Sequence, residues 1–183
     1  METTLIVLAV IIGAPLIIAL FLSKDYGVEA ETVVNKRSEN VFNYIRYIKN
    51  QELYSKWVMA DLEMKREYRG ADGSPGFIYA WNGNNKAGEG EQEITGITEN
   101  EKLDLEIRFK RPFEGKAYTS ITTQAVEDNK TRVTWKMTGR NNYPLNLMTL
   151  LLKGTLKKDL EISLNNLKNI LEKNQTTVPA KSL

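Results

Sequence analysis

Residues 81–92 read WNGNNKAGEGEQ, a stretch dense in Asn and Gly that ends in a GEG fragment. Glycines at this density serve one common chemistry. In a turn between a strand and a helix, backbone amides and the helix N-terminus hold a phosphate. Beyond NGNN, however, the chain runs KAGEGEQEITGIT, which alternates like a strand and places Glu89, Glu91 and Glu93 on one face. The helix that a phosphate loop needs is missing, so Asn82-Gly83 is read instead as the turn of a β-hairpin. Gly88 and Gly90 fall on the face opposite the glutamates, with Gln92 and Ile94. Paired glycines on one strand face mark a bend in a sheet or room for something packed against it.

Missing residue types narrow the remaining chemistry. The chain has no Cys and no His. Disulfides, thiolate nucleophiles, Cys-ligated metals, His-containing triads, His-ligated zinc and haem-His ligation are therefore excluded. Carboxylate, Lys, Tyr and Arg chemistry is left. Every Asp and Glu of the central strand segments lies in the outward phase, so no carboxylate pair is aimed at a shared substrate. Tyr79 or Tyr118 beside Arg66 is the one arrangement suited to polarising a carbonyl. No cofactor and no metal are expected. The net charge is +2, and basic residues cluster no further than pairs such as Lys36-Arg37 and Lys157-Lys158, so no nucleic-acid partner is expected.

Pattern also predicts the elements that would position these residues. In YGVEAETVV, Val28, Ala30 and Thr32 alternate with Glu29, Glu31 and Val33 as a first strand. Ser38 is read as the N-cap of a helix carrying Val41, Phe42, Ile45 and Ile48, and QELYSKWV as a second short helical piece. Strand-like runs come next at about 62–69, 77–81, 86–98, 102–110, 116–125 and 131–138, separated by GADGSPG, NGNN, TENE, RPFEG and VEDNK. Separators this short predict an antiparallel meander. From Pro144 to Lys173, Leu145, Met148, Leu152, Leu156, Leu160, Leu164, Leu167 and Leu171 recur at spacings of three or four, which predicts one long amphipathic helix. NQTTVPAKSL reads as a frayed tail.

The N-terminus carries a different signal. Leu5 to Leu22 holds 18 residues without a charged or strongly polar side chain, about 27 Å of helix against a hydrocarbon core of roughly 30 Å. A cleaved signal peptide and a buried core helix are the alternatives. The first lacks a basic n-region and a small-residue cleavage site, and the second lacks a polar face. The expectation is a single-pass anchor, with Lys24, Lys36 and Arg37 placing the main domain on the cytoplasmic side. The expected divisions are an anchor at 1–25, one domain at 26–173 and a flexible tail at 174–183.

Several segments together carry a family resemblance. They are VFNYI with YSKW ending at Trp57, YAWNGN with AGEGEQEIT, RFKRPFEGKAYTSIT, TRVTWKMTGRNNYP and the helix end NLKNILE. In this order they resemble the START-like (SRPBCC) superfamily, in its polyketide cyclase/dehydrase and lipid-transport branch and its membrane-anchored bacterial form. The resemblance implies an α+β helix-grip fold, a curved antiparallel sheet of about seven strands around a long C-terminal helix, preceded by one transmembrane helix. It also implies an apolar cavity for a lipid, sterol, polyketide or similar molecule, and it supplies no fixed catalytic residues.

Strand parity predicts the lining without the family. Leu103, Leu105, Ile107 and Phe109 face inward, as do Val133, Trp135 and Met137, then Phe77, Tyr79 and Trp81, then Gln92 and Ile94. Leu62, Met64, Arg66 and Tyr68 form the inward set of the strand before them. The candidate ligand-binding residues are Arg66, Phe77, Tyr79, Trp81, Gln92, Ile94, Leu105, Ile107, Phe109, Trp135 and Met137. The expected function is binding or transfer of a hydrophobic small molecule by a membrane-tethered domain. The alternatives are a cyclase- or dehydratase-like enzyme using Tyr79 and Arg66, or an interaction module presenting YPLNLMTLLLK, where Leu147, Leu150 and Leu151 exceed one helix face.

Overall fold

A computed structural model describes residues Glu2–Lys173; the side chains of residues 2, 5, 6, 8 and 151, and all of the expected tail 174–183, lie outside the described residues. Alternation builds seven strands: β1 (Asp25–Val34), β2 (Lys65–Arg69), β3 (Ile78–Asn82), β4 (Glu89–Thr98), β5 (Lys102–Arg111), β6 (Gly115–Glu127) and β7 (Lys130–Arg140). They form one antiparallel sheet in the order β1-β7-β6-β5-β4-β3-β2. The meander from β2 to β7 is the consequence of its short loops. The helices are α1 (Glu2–Phe21), α2 (Ser38–Ile45), α3 (Gln51–Tyr54) and α4 (Asn146–Lys173), with 3₁₀ turns at Ile48–Asn50 and Val58–Ala60.

One face of the sheet is the core. Register aligns Ile94, Leu105, Thr119, Met137 and Val28 in a row across β4, β5, β6, β7 and β1, and all five are buried. Val41, Phe42 and Ile45 of α2 and Leu160, Leu164, Leu167 and Leu171 of α4 are buried with them. Each fully buried Leu contributes roughly 1.5–3 kcal/mol relative to exposure. On the opposite face Arg108 donates to Glu91 and Glu93 at 2.8 Å and to Glu106 at 2.9 Å. Desolvation pushes the Glu91 carboxyl up, but hydrogen bonds from Arg108 and Arg69 outweigh it and hold the group below the usual carboxylate range. The Arg108 hydrogen bond, with help from Lys116, holds Glu106 down as well.

Four expectations are corrected. First, a membrane-spanning anchor through Leu5–Leu22 underlay the membrane localisation, the cytoplasmic orientation and the membrane as partner. Among the described residues no helix is long and apolar enough to cross a membrane. The end of α1 is also engaged: Ala19 is buried, and Asn146 Nδ2 donates to Ala19 O at 2.6 Å and Leu22 O at 3.1 Å, satisfying carbonyls a helix end leaves open.

Second, Ser38 is not the N-cap of α2. Arg37 holds that position without a side-chain cap bond, and the Ser38 hydroxyl points to Asn100 O at 3.4 Å. Third, the hairpin read at Asn82-Gly83 does join β3 to β4, but its turn is longer than those two residues. Asn82 still pairs in β3, and a six-residue loop closes through Gly83 N to Gly88 O and Gly88 N to Asn84 O, both at 2.8 Å. Asp61 Oδ2 accepts from Asn84 N at 2.8 Å and holds that loop open. Fourth, the leucine stripe of the C-terminal helix is buried only in its second half. Leu145 precedes α4, and Leu145, Met148 and Leu152 are exposed, where they border an open hollow with Tyr26, Phe109 and Phe113. Leu150 is exposed and Leu147 half-buried, while the Leu151 side chain lies outside the described residues.

Candidate functional site

The sheet, the α3 segment and the middle of α4 leave a cavity of about 240 Å³. Parity brings seven of the candidate residues to its wall: Tyr79, Trp81, Gln92, Ile107, Phe109, Trp135 and Met137. Phe77, Ile94 and Leu105 are buried in the core but do not reach the lining. Arg66 turns away from it. Its Nη1 donates to Leu62 O at 3.1 Å and Met64 O at 3.2 Å, and its Nε lies 4.0 Å from Glu52. Met64, just before β2, lines the cavity, while Leu62 lies outside the strand and is 71% exposed. Tyr68 keeps the inward phase, its ring 6.3 Å from Phe77 and 5.5 Å from Tyr79, but does not reach the lining. Tyr118 is exposed on the other face. The carbonyl-polarising pair expected from Arg66 with Tyr79 or Tyr118 does not assemble at this wall.

Two glycines of GEG explain the wall's shape. Trp81 pairs across the sheet with Gly90, and a Cβ at Gly90 would meet the indole at 2.8 Å and Arg108 O at 2.6 Å. The missing side chain lets the indole lie on β4, edge-on to Phe109 at 6.3 Å, with Nε1 donating to Ala87 O at 3.1 Å. Gly88 has φ +68°, and a Cβ there would come within 2.5 Å of Arg111 O. Only glycine combines that conformation with that approach.

The second wall comes from residues that parity did not name. Gln51, Ser55, Trp57 and Val58 descend from α3 and the turn after it, and Leu156 from α4. The helical piece read in QELYSKWV is too short for a period to say which side faces inward, and polar atoms of α4 hold it in place. Ser163 Oγ accepts from Lys56 N at 2.9 Å, and Asn166 Nδ2 donates to Tyr54 O at 3.2 Å. Thr119 was within reach of the parity argument, since Ala117, Thr119 and Ile121 are buried in alternation with exposed Tyr118. Exposed Lys86 and Arg111 complete the lining with Pro112.

Most polar groups of the wall are already spent. Trp135 Nε1 donates to Thr119 Oγ1 at 2.8 Å, and Thr119 Oγ1 donates to Lys136 O at 2.7 Å. Gln92 Nε2 donates to Gln51 Oε1 at 2.9 Å. Two groups are not: Tyr79 Oη and Gln51 Nε2 have no hydrogen-bond partner, although Tyr79 is 2% exposed and Gln51 3%. Tyr79 stands opposite Gln92 in the β3–β4 pair, so Gln92 links both. Burial pushes the Tyr79 phenol up against the pull of nearby Arg66, yet neither Arg66 Nε nor Tyr79 Oη completes a hydrogen bond. At neutral pH the phenol is a donor. Among the described residues no group of three or more acidic or other metal-ligating side chains gathers to hold a metal.

No family model and no curated protein matches the sequence. Solved structures do match. Norcoclaurine synthase from Thalictrum flavum, in complex with dopamine and hydroxybenzaldehyde, superposes with a TM-score of 0.64 at 10% identity, covering 88% of this chain and 94% of that one. A Nitrosospira multiformis protein matches with a TM-score of 0.61 at 16% identity, covering 82% and 99%. Ara h 8.0201 matches with a TM-score of 0.60 at 17% identity, again covering 82% and 99%. At these identities the likeness is one of fold, the helix-grip arrangement of an antiparallel sheet around a long C-terminal helix.

Proposed function

We propose that this chain binds a lipid-like or polyketide-like apolar molecule, carrying one hydrogen-bonding oxygen, in the cavity between sheet and α4. The observation that carries the reading is the pair of unspent donors, Tyr79 Oη and Gln51 Nε2, in a mainly apolar wall where the buried polar groups of Gln92 and Thr119 are already bonded. Buried polar groups without partners are uncommon in native proteins, and ligand sites are apolar pockets with a few such groups left for the ligand. A neutral oxygen suits this end of the cavity, because the two groups it would meet, a phenol and an amide, are neutral donors. That a protein of this fold was solved with two small aromatic molecules bound supports the same reading.

All three tryptophans, Trp57, Trp81 and Trp135, line the cavity, so their emission reports its occupancy. Titration with nonan-2-one is expected to give a saturable change with one site per chain. Gln51→Leu should weaken that binding about five- to tenfold, the worth of one hydrogen bond. An emission that drifts linearly, without saturation, would sink the proposal.

A further inference from the structure

A second hollow of about 200 Å³ lies beside the first, and the two share Phe109 and Leu156. Its apolar lining comes from Tyr26, Phe113, Leu145, Met148 and Leu152. Four of these, Phe113, Leu145, Met148 and Leu152, are large side chains left exposed. Either hollow alone falls below the roughly 300 Å³ at which small-molecule sites begin, and joined they exceed it.

The partition is built to give way on one side. Phe109 is half-buried, and its register partners on both neighbouring strands are glycines, Gly90 on β4 and Gly115 on β6. On the β6 side nothing fills the gap: a Cβ at Gly115 would meet no atom within 4 Å. The ring therefore rests on the edge of Trp81, with free volume toward the second hollow, whose border with the first it shares with Leu156. A slender chain fits a neck one side chain wide, whereas a fused ring system does not.

Building on the function proposed above, we propose that the two hollows are halves of one elongated site for an unbranched chain with a single oxygen head. The head lies at Tyr79 and Gln51, the chain passes Phe109, and its far end covers the exposed apolar groups of the outer hollow. Phe109 is then the residue that sets how long a ligand the chain accepts.

The test is a series of alkan-2-ones of six, nine, twelve and fifteen carbons, titrated against wild type, Gly115→Leu and Phe109→Ala by tryptophan emission. Wild-type affinity is expected to rise by about fourfold per methylene through the longer members. Gly115→Leu, which fills the outer hollow, should leave the six-carbon ketone unchanged and weaken the fifteen-carbon ketone more than tenfold. Phe109→Ala, which also removes part of the first cavity's wall, should tighten the fifteen-carbon ketone relative to the six-carbon one. Leu152→Trp fills the same hollow from α4, at an exposed position, and repeats the test without altering the sheet. Short ketones that bind while neither filling variant changes the length preference would overturn the elongated site and leave the single cavity standing. Failure of every ketone to bind wild type would overturn both.

Discussion

Tyr79 concentrates the functional argument in one atom. Its ring packs between Tyr68 at 5.5 Å and Trp81 at 6.1 Å, so the side chain is fixed whether or not its hydroxyl bonds anything. An unsatisfied buried hydroxyl costs stability, on the order of 1–3 kcal/mol. Tyr79→Phe is therefore expected to leave thermal stability unchanged or raise it, while ketone affinity falls about fivefold. Loss of stability in calorimetric unfolding would show that the hydroxyl already has a partner. The sequence placed Tyr79 correctly through parity alone. It misplaced Arg66, because phase says which way a side chain leaves the strand and not where a long flexible one ends. Carbonyls at the open start of β2 captured that guanidinium.

At the scale of elements, Arg108 fastens β4 to β5 on the outer face, through Glu91 and Glu93 on one strand and Glu106 on its own. Glu91 and Glu106 sit below their usual pKa of 4.5 in the fold. A depressed carboxylate contributes stability that is present above its unfolded value and lost as pH falls through the folded one. The stability gap between wild type and Arg108→Met should thus be widest near neutral pH and close as pH falls below about 4.5, read by urea unfolding across pH. A gap constant with pH would assign Arg108 a packing role instead. Most strands were legible because alternation is strict where one face is buried, as in KLDLEIRFKR. The loop at 83–88 was not, since Asp61 arrives from outside the local sequence to hold it open. The helical piece in QELYSKWV was legible and forms α3, but its place was not, because Ser163 and Asn166 of α4 set it.

For the whole molecule, the sheet and α4 enclose a hollow that packing alone would have filled. Core leucines at 160, 164, 167 and 171 close one end, and the exposed first turns of α4 leave the other end open. The leucine spacing of α4 showed a helix and not which of its turns pack against the sheet, so the exposed half looked the same as the buried half. The same limit applied at the N-terminus, where composition gave the apolar character of the segment and structure gave the docking of Ala19 and Leu22 by Asn146.

The central claim, an interior that receives an apolar molecule, is tested most directly by the three indole N–H signals in a nitrogen-15 correlation spectrum. Trp57, Trp81 and Trp135 stand around one cavity on three different elements. Saturating nonan-2-one is expected to shift all three together along one binding curve, with Overhauser contacts between the alkyl chain and the indole rings. Indole signals that stay in place at saturating ketone, while surface amides move instead, would contradict it.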